Sequence, residues 1–416
     1  MIKYFYLLCF LLAFNHTKAQ ELNDNPFELA ASLVEKNQYQ KATDTLRKLL
    51  KQYNRIHHVA AGAPNTSVLD QALATYQSFI GEAYPIRWKA HPPKRNYAAG
   101  STRFEAAIPY IAGQAASRQV VMVNEDHNQP KHRLLTYNLL DTLYAEGFRY
   151  LAVETIDPED SSIRQYGYPK MSSGTYSVEP NMANLIRKAV SLGYHVIGYE
   201  SQDTTENNEK QQYYADNLRE LNQARNLYQI LIKDPKAKII VHAGHGHVWE
   251  KTDNELILMG EYFKIMSGID PLTINQSVNK ADEFETALKE QMGTRLSPMP
   301  YVVLDSRHRP RTSAYDSPDS YDLLVSWPKA KLDLGRWDYL AFKRGAKPYP
   351  ISVEERDAGK LLQIKSLDRN DEIPVDQFLI KPLTKRYQSY LEKGKYLMQL
   401  VDLNGKALWQ KEIVVD

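Results

Sequence analysis

The stretch QVVMVNEDHNQPKHR, residues 119–133, sets acid–base groups straight after an apolar run. Glu125, Asp126 and His127 follow Val120, Val121, Met122 and Val123, and His132 stands a little further on. A carboxylate two positions from an imidazole can orient it, help it hold a divalent metal, or share proton transfer with it. A second group, His242, His245 and His247, lies in VHAGHGHVWE, again just past an apolar run. Five of the eleven histidines fall in these two places. Glu154 ends RYLAVE and Glu200 ends YHVIGYE in the same manner.

Such groups converge only if the apolar runs are parallel strands of one sheet. The runs 119–124, 149–154, 194–200, 238–242 and 300–305 have strand composition, and 133–147, 180–192 and 212–233 between them have helical spacing, with Leu135, Leu139, Leu140 and Leu143 in the first. The alternation predicts an α/β fold with a mostly parallel sheet covered by helices on both faces. Ligands in such sheets sit outside the carboxyl ends of the strands. Taken singly, each group has a plainer reading. A strand-end glutamate is usually solvated or capping, His132 can serve a first helical turn, His195 can start a strand, and His242 can be a satisfied sheet histidine. The repeated placement is what points to a site.

The rest of the chain frames that domain. Residues 1–19 read as a signal peptide: Lys3, an apolar run from Tyr4 to Phe14, and Thr17-Lys18-Ala19 as the cleavage site. An exported protein, periplasmic or secreted, is expected. Cys9, the one cysteine, falls in that segment, so no disulfide or thiolate chemistry is expected afterwards. Residues 20–90 predict a helical cap: two helices within 25–53, a third over Val68–Ala83. NQYQKATDTLRKLL looks like half of a tetratricopeptide repeat, and a cap packed on the main domain is the favoured reading. The α/β domain spans 91–325. Residues 330–416 predict a small β module of sandwich type, with Asn404-Gly405 as a hairpin turn. That module could pack on the rest or receive a protein partner.

Composition narrows the chemistry. A net charge of +2 gives no reason to expect nucleic acid as a partner, and no later apolar stretch is long enough to span a membrane. The HExxH motif, its inverted form, a GxSxG elbow and Gly-rich phosphate loops are all missing.

Over roughly 118–275 the motifs, in their order, resemble a superfamily that joins erythromycin esterase-like proteins, ChaN-like haem-binding lipoproteins and the Tiki/TraB metalloproteases. Asn124-Glu125-Asp126-His127 is similar to the G-E-x-H element, with Asn124 in place of Gly, and its spacing to His132 looks most like the ChaN side. Leu151-Ala152-Val153-Glu154 resembles the second-strand glutamate. The segment from Arg219 to Asn226, RELNQARN, is similar to the esterase motif R-D-x-x-M-A-x-N, and Gly246-His247-Val248 to the end of N-G-H-V. Gly244-His245 stands where an esterase shows His-Asn.

The resemblance implies two hydrolytic mechanisms. In the esterase form His127 activates water, Glu125 or Glu154 orients it, and His247 and Arg219 polarise the carbonyl of a small-molecule or peptide substrate. In the metalloprotease form His127, Glu154, Glu200 and His247, with His132 or His245 as further donors, hold a divalent ion such as Zn, Mn or Co. The esterase form is preferred, because Arg219 has no task as a metal ligand. A non-catalytic protein binding haem, iron or another metal is the alternative.

Overall fold

The chain is described from a computed structural model over residues 25–60, 62–87, 92–97, 100–202, 209–251, 256–277, 283–293 and 298–416. The expected signal peptide, with Cys9, lies outside them. Three helices lead: α1 (Pro26–Val34), α2 (Tyr39–Ile56) and α3 (Val68–Phe79). The α/β region follows as β1 (Thr102–Ala106), α4 (Ala107–Ala115), β2 (Val120–Glu125), α5 (Lys131–Ala145), β3 (Tyr150–Val153), α6 (Ser162–Tyr166), α7 (Pro180–Leu192), β4 (His195–Gly198), α8 (Glu209–Lys233), β5 (Ile239–Gly244), α9 (Met259–Ser267), β6 (Leu272–Asn275), α10 (Glu285–Met292), β7 (Tyr301–Asp305) and β8 (Leu323–Ser326).

The eight strands form one sheet in the order β1-β7-β8-β6-β2-β5-β3-β4. β6, β2, β5, β3 and β4 are parallel, and β7 runs against both β1 and β8. Side-chain alternation explains the double cover. Val121, Val123 and Ile240 point into a core shared with α5 and α7. Val120, Met122, Ile239, Val241 and Ala243 point into the core under α8 and α9. Both sets are buried, which is why the strands read as unbroken apolar runs.

The connections fix where the opening lies. From β2 the chain leaves through α5 on one face; from the adjacent β5 it leaves through α9 on the other. Right-handed crossovers require this reversal when successive strands step in opposite directions along the sheet. The carboxyl ends of β2 and β5 therefore flank a topological switch point, the usual crevice of open α/β sheets.

Beyond the sheet lie β9 (Leu332–Asp333), β10 (Arg336–Trp337), β11 (Lys347–Ser352), β12 (Leu361–Ser366), β13 (Asp376–Leu379), β14 (Arg386–Leu391), β15 (Gly394–Val401) and β16 (Ala407–Val415). β13-β12-β15-β16 and the β11-β14 pair are antiparallel sheets that enclose Ile351, Tyr387, Leu362, Phe378 and Leu400. Gly405 takes φ +77° in the β15–β16 turn, the conformation that made Asn404-Gly405 a hairpin signal. The three leading helices share a core with Val178, Leu361 and Val401, and Tyr39 donates to the Val178 carbonyl at 3.0 Å. They pack as a cap across both the α/β region and the β module.

Candidate active site

Glu125 is the last residue of β2 and shares the side of the sheet taken by Val121 and Val123. Its partner in register is Gly244, the last residue of β5. Two residues back on β5, His242 falls on the same side, beneath α5. α5 brings Arg133 and Thr136, three positions apart and so on one helical face. Glu125 accepts from Arg133 Nε at 2.7 Å and Nη2 at 2.9 Å, from His242 at 2.9 Å and from His127 Nδ1 at 2.9 Å. Burial alone would raise its pKa, but the Arg133 charge and the two imidazole bonds hold it well below the usual carboxylate range. His242 is closed off by Thr136 at 2.9 Å, and Arg133 reaches on to Glu179 at 2.8 Å. Glu179 also caps α7 through the Met182 N–H at 2.8 Å.

An ionised Glu125 must receive an N–H from His127, which fixes the tautomer and leaves Nε2 as the basic nitrogen. The His127 ring stacks on Tyr176, with centroids 4.0 Å apart and planes 12° from parallel. Its side chain stays 31% exposed. A Cβ added to Gly244 would stand 2.8 Å from His127 Nε2 and 3.0 Å from Glu154 Oε2. The bare glycine is thus the floor between the imidazole and the second carboxylate.

Glu154, just past β3, accepts the Gly244 N–H and Arg219 Nη2, the latter at 2.8 Å. Burial opposes its charge, yet His247, His127, Arg219 and that N–H bring its pKa down to about 2. Arg219 comes from α8 and remains 40% exposed. It also grips Glu200 with Nε at 3.0 Å and Nη2 at 2.5 Å, while Gln223 braces the same carboxylate at 3.0 Å. His247 Nε2 lies 3.4 Å from both Glu154 and Arg219. Its Nδ1 lies 2.7 Å from Glu220, which accepts the first N–H of α9 at 2.8 Å. Burial disfavours the imidazolium, but Glu154 and Glu220 outweigh it and raise the His247 pKa.

Glu125, His127, Glu154, Glu200, Arg219 and His247 therefore meet at one sheet edge. The two further histidines do not join them. His132 is buried, accepts the Asp126 N–H on Nδ1 at 3.0 Å, and burial keeps it neutral far below its ordinary pKa. His245 is 54% exposed and faces Asp126 at 3.8 Å. Asn124 lies on the opposite side of β2 and donates to Asn275 at 2.9 Å and Ser277 at 2.7 Å, tying β2 to the end of β6. Its departure from glycine thus has a structural use.

The expected metal donors fit a metal poorly. Among the described residues no three His, Cys, Asp or Glu side chains are grouped so as to hold an ion. Arg219 is what joins Glu154 to Glu200, and the lone pairs a metal would take are spent on its guanidinium.

No family model matches the chain, and no curated protein does. Among solved structures it is similar to the type III effector HopBA1, at 13% identity and TM-score 0.35, covering 56% of this chain and 99% of that one. It is similar to RRSP, a MARTX toxin effector domain from Vibrio vulnificus, at 13% identity and TM-score 0.31, over 59% of this chain and 55% of that one. ChaN of Campylobacter jejuni, whose structure is described by its cofacial haem binding, is similar at 10% identity and TM-score 0.30, over 53% of this chain and 91% of that one. Likenesses at this level carry no chemistry, so the reading below rests on the geometry of this chain.

Sequence reasoning passed over Arg133, Glu220, Tyr176 and Gly244. Glu220 had a signal, as the acidic position of the RELNQARN motif. Arg133 had none, since a helical arginine is ordinarily exposed and only the tertiary fold buries this one.

Proposed function

We propose that the protein hydrolyses an ester or amide bond of a small molecule or peptide outside the cytoplasm, with Arg219 rather than a metal ion supplying positive charge at the reacting carbonyl. The observation that carries this is the Glu125–His127 pair, at 2.9 Å, with His127 Nε2 beside bare Gly244, next to which stands Glu154, itself bonded to Arg219. His127 Nε2 takes a proton from water, and the hydroxide oxygen bonds to the carbonyl carbon. The carbonyl oxygen becomes an oxyanion, which Arg219 faces together with protonated His247. When the tetrahedral species collapses, the carbon–heteroatom bond breaks and the leaving group receives the proton held on His127. Glu125 keeps the imidazole oriented and stabilises its charged form throughout. The resemblance of residues 118–275 to erythromycin esterase-like proteins supports the same division of roles.

The test is a panel of esters, amides and peptides offered to the full chain and to His127→Ala. Hydrolysis that survives chelation, and falls roughly 10²- to 10⁴-fold in the variant, is the expected result. A panel left untouched by the wild-type protein, with a Soret band on haem titration that His127→Ala abolishes, would replace hydrolysis with haem binding.

A further inference from the structure

Away from the sheet edge, α7 and the β module enclose a cavity of about 110 Å³. Five cationic side chains line it against two carboxylates. Two of the cations are already matched: Arg187 by Asp371 at 2.7 Å and Lys188 by Asp141 at 2.6 Å. Lys343 is matched only loosely. Its side chain is 6% exposed, and its closest carboxylate oxygen, on Glu392, is 4.0 Å away, beyond hydrogen-bond reach. That oxygen already accepts the Tyr137 hydroxyl. Among the described residues Lys343 Nζ donates no hydrogen bond, and the exposed Arg369 and Lys393 at the mouth have no carboxylate within 4.0 Å.

Burying an ammonium without an acceptor is expensive, on the order of several kcal/mol, and folded proteins normally pair such a group. Burial also lowers the Lys343 pKa, and Glu392 and Asp376 oppose that only in part. The other interior cations of this chain show the contrast, with Arg133 and Arg336 each meeting a carboxylate within 2.8 Å. A cavity of about 110 Å³ has room for a small ion.

We propose that this pocket binds a small oxyanion of phosphate size, with Lys343 as its buried donor and Arg369 and Lys393 closing the mouth. The ion completes the junction between α7 and the β module, so its binding stabilises the folded chain by mass action. This inference is independent of the hydrolytic reading.

The experiment is calorimetric titration of the full chain with inorganic phosphate at constant ionic strength, with melting temperature as a second readout. Wild type should bind one phosphate and melt at higher temperature with added phosphate than with matched chloride. Lys343→Met, which keeps the buried stem, should weaken phosphate at least tenfold while leaving the unliganded protein as stable or more so. Arg219→Met should bind phosphate as wild type does, separating this pocket from the sheet-edge site. Should Lys343→Met fail to fold, the exposed pair Arg369→Glu and Lys393→Glu together must give the same tenfold loss. Absence of phosphate binding in wild type, unchanged affinity in both pocket variants, or loss in Arg219→Met alone overturns the proposal.

Discussion

Two carboxylates stand at the ends of strands on either side of β5 and are treated in opposite ways. Glu125 is 2% exposed and is wrapped by Arg133, His242 and His127. Glu154 is 12% exposed and meets an arginine that is itself 40% exposed. Both are held ionised, Glu125 chiefly by a cation with no exposure at all, Glu154 by charges that border the opening. The contrast separates a charge that positions from charges that can act. Arg133 spends all three guanidinium nitrogens inside the protein, on Glu125, Glu179 and the His127 carbonyl, whereas Arg219 can turn part of its guanidinium toward a substrate. Paired titratable groups in unlike surroundings are a common mark of divided catalytic labour.

Substituting the two arginines is the strongest way to break that contrast. Arg133→Met strands Glu125 and Glu179 in the interior, so unfolding in urea should show a loss of about 3–5 kcal/mol, with no activity remaining at a temperature where wild type is folded. Arg219→Met, on the exposed side, should leave stability within about 1 kcal/mol and reduce kcat about 10²- to 10³-fold. Equal destabilisation by the two variants would erase the distinction. Gly244→Ala probes the floor shared by the two halves. Its methyl group would press on His127 and Glu154 at 2.8 and 3.0 Å, so one side chain must shift. A fall in kcat of about ten- to a hundredfold, with a melting temperature close to wild type, is expected from misplacement of this size.

The fold was legible because its signal is periodic. The strand runs 119–124, 149–154, 194–200, 238–242 and 300–305 correspond to β2, β3, β4, β5 and β7, and the expected helices to α5, α7 and α8. β1, β6 and β8 were not expected; Leu272–Asn275 and Leu323–Ser326 are four residues each, too short to stand out as apolar runs. The site's location followed from strand-end placement, because parallel pairing carries every such residue to one edge. Which groups meet inside it did not follow. That Arg133 rather than His132 serves Glu125 depends on which face of α5 lies on the sheet, and α5 is buried nearly all round, so its apolar pattern does not single out a face. Likewise Arg219 bridging Glu154 and Glu200 depends on α8 crossing both strand ends, a tertiary fact with no local trace.

The smallest effect is also the one that separates the two carboxylates by charge alone. The folded pKa of Glu154 is depressed from 4.5 to about 2, so its contribution to stability is complete above the unfolded value and is lost as pH falls toward 2. His247 is shifted the other way, upward from 6.5, so its contribution is complete below 6.5 and is lost as pH rises through the folded value. Together they favour the folded state most between about 4.5 and 6.5. Glu154→Gln removes the first contribution and the leading charge that raises His247. Melting temperature followed from acid to alkaline pH should therefore fall less steeply on both flanks in the variant. The acid flank should persist in part, because Glu125 is also held well below its ordinary pKa and keeps its partners. A variant profile parallel to wild type would mean that Glu154 is not the charge binding the exposed half together, and that Glu200 and Glu220 hold Arg219 and His247 without it.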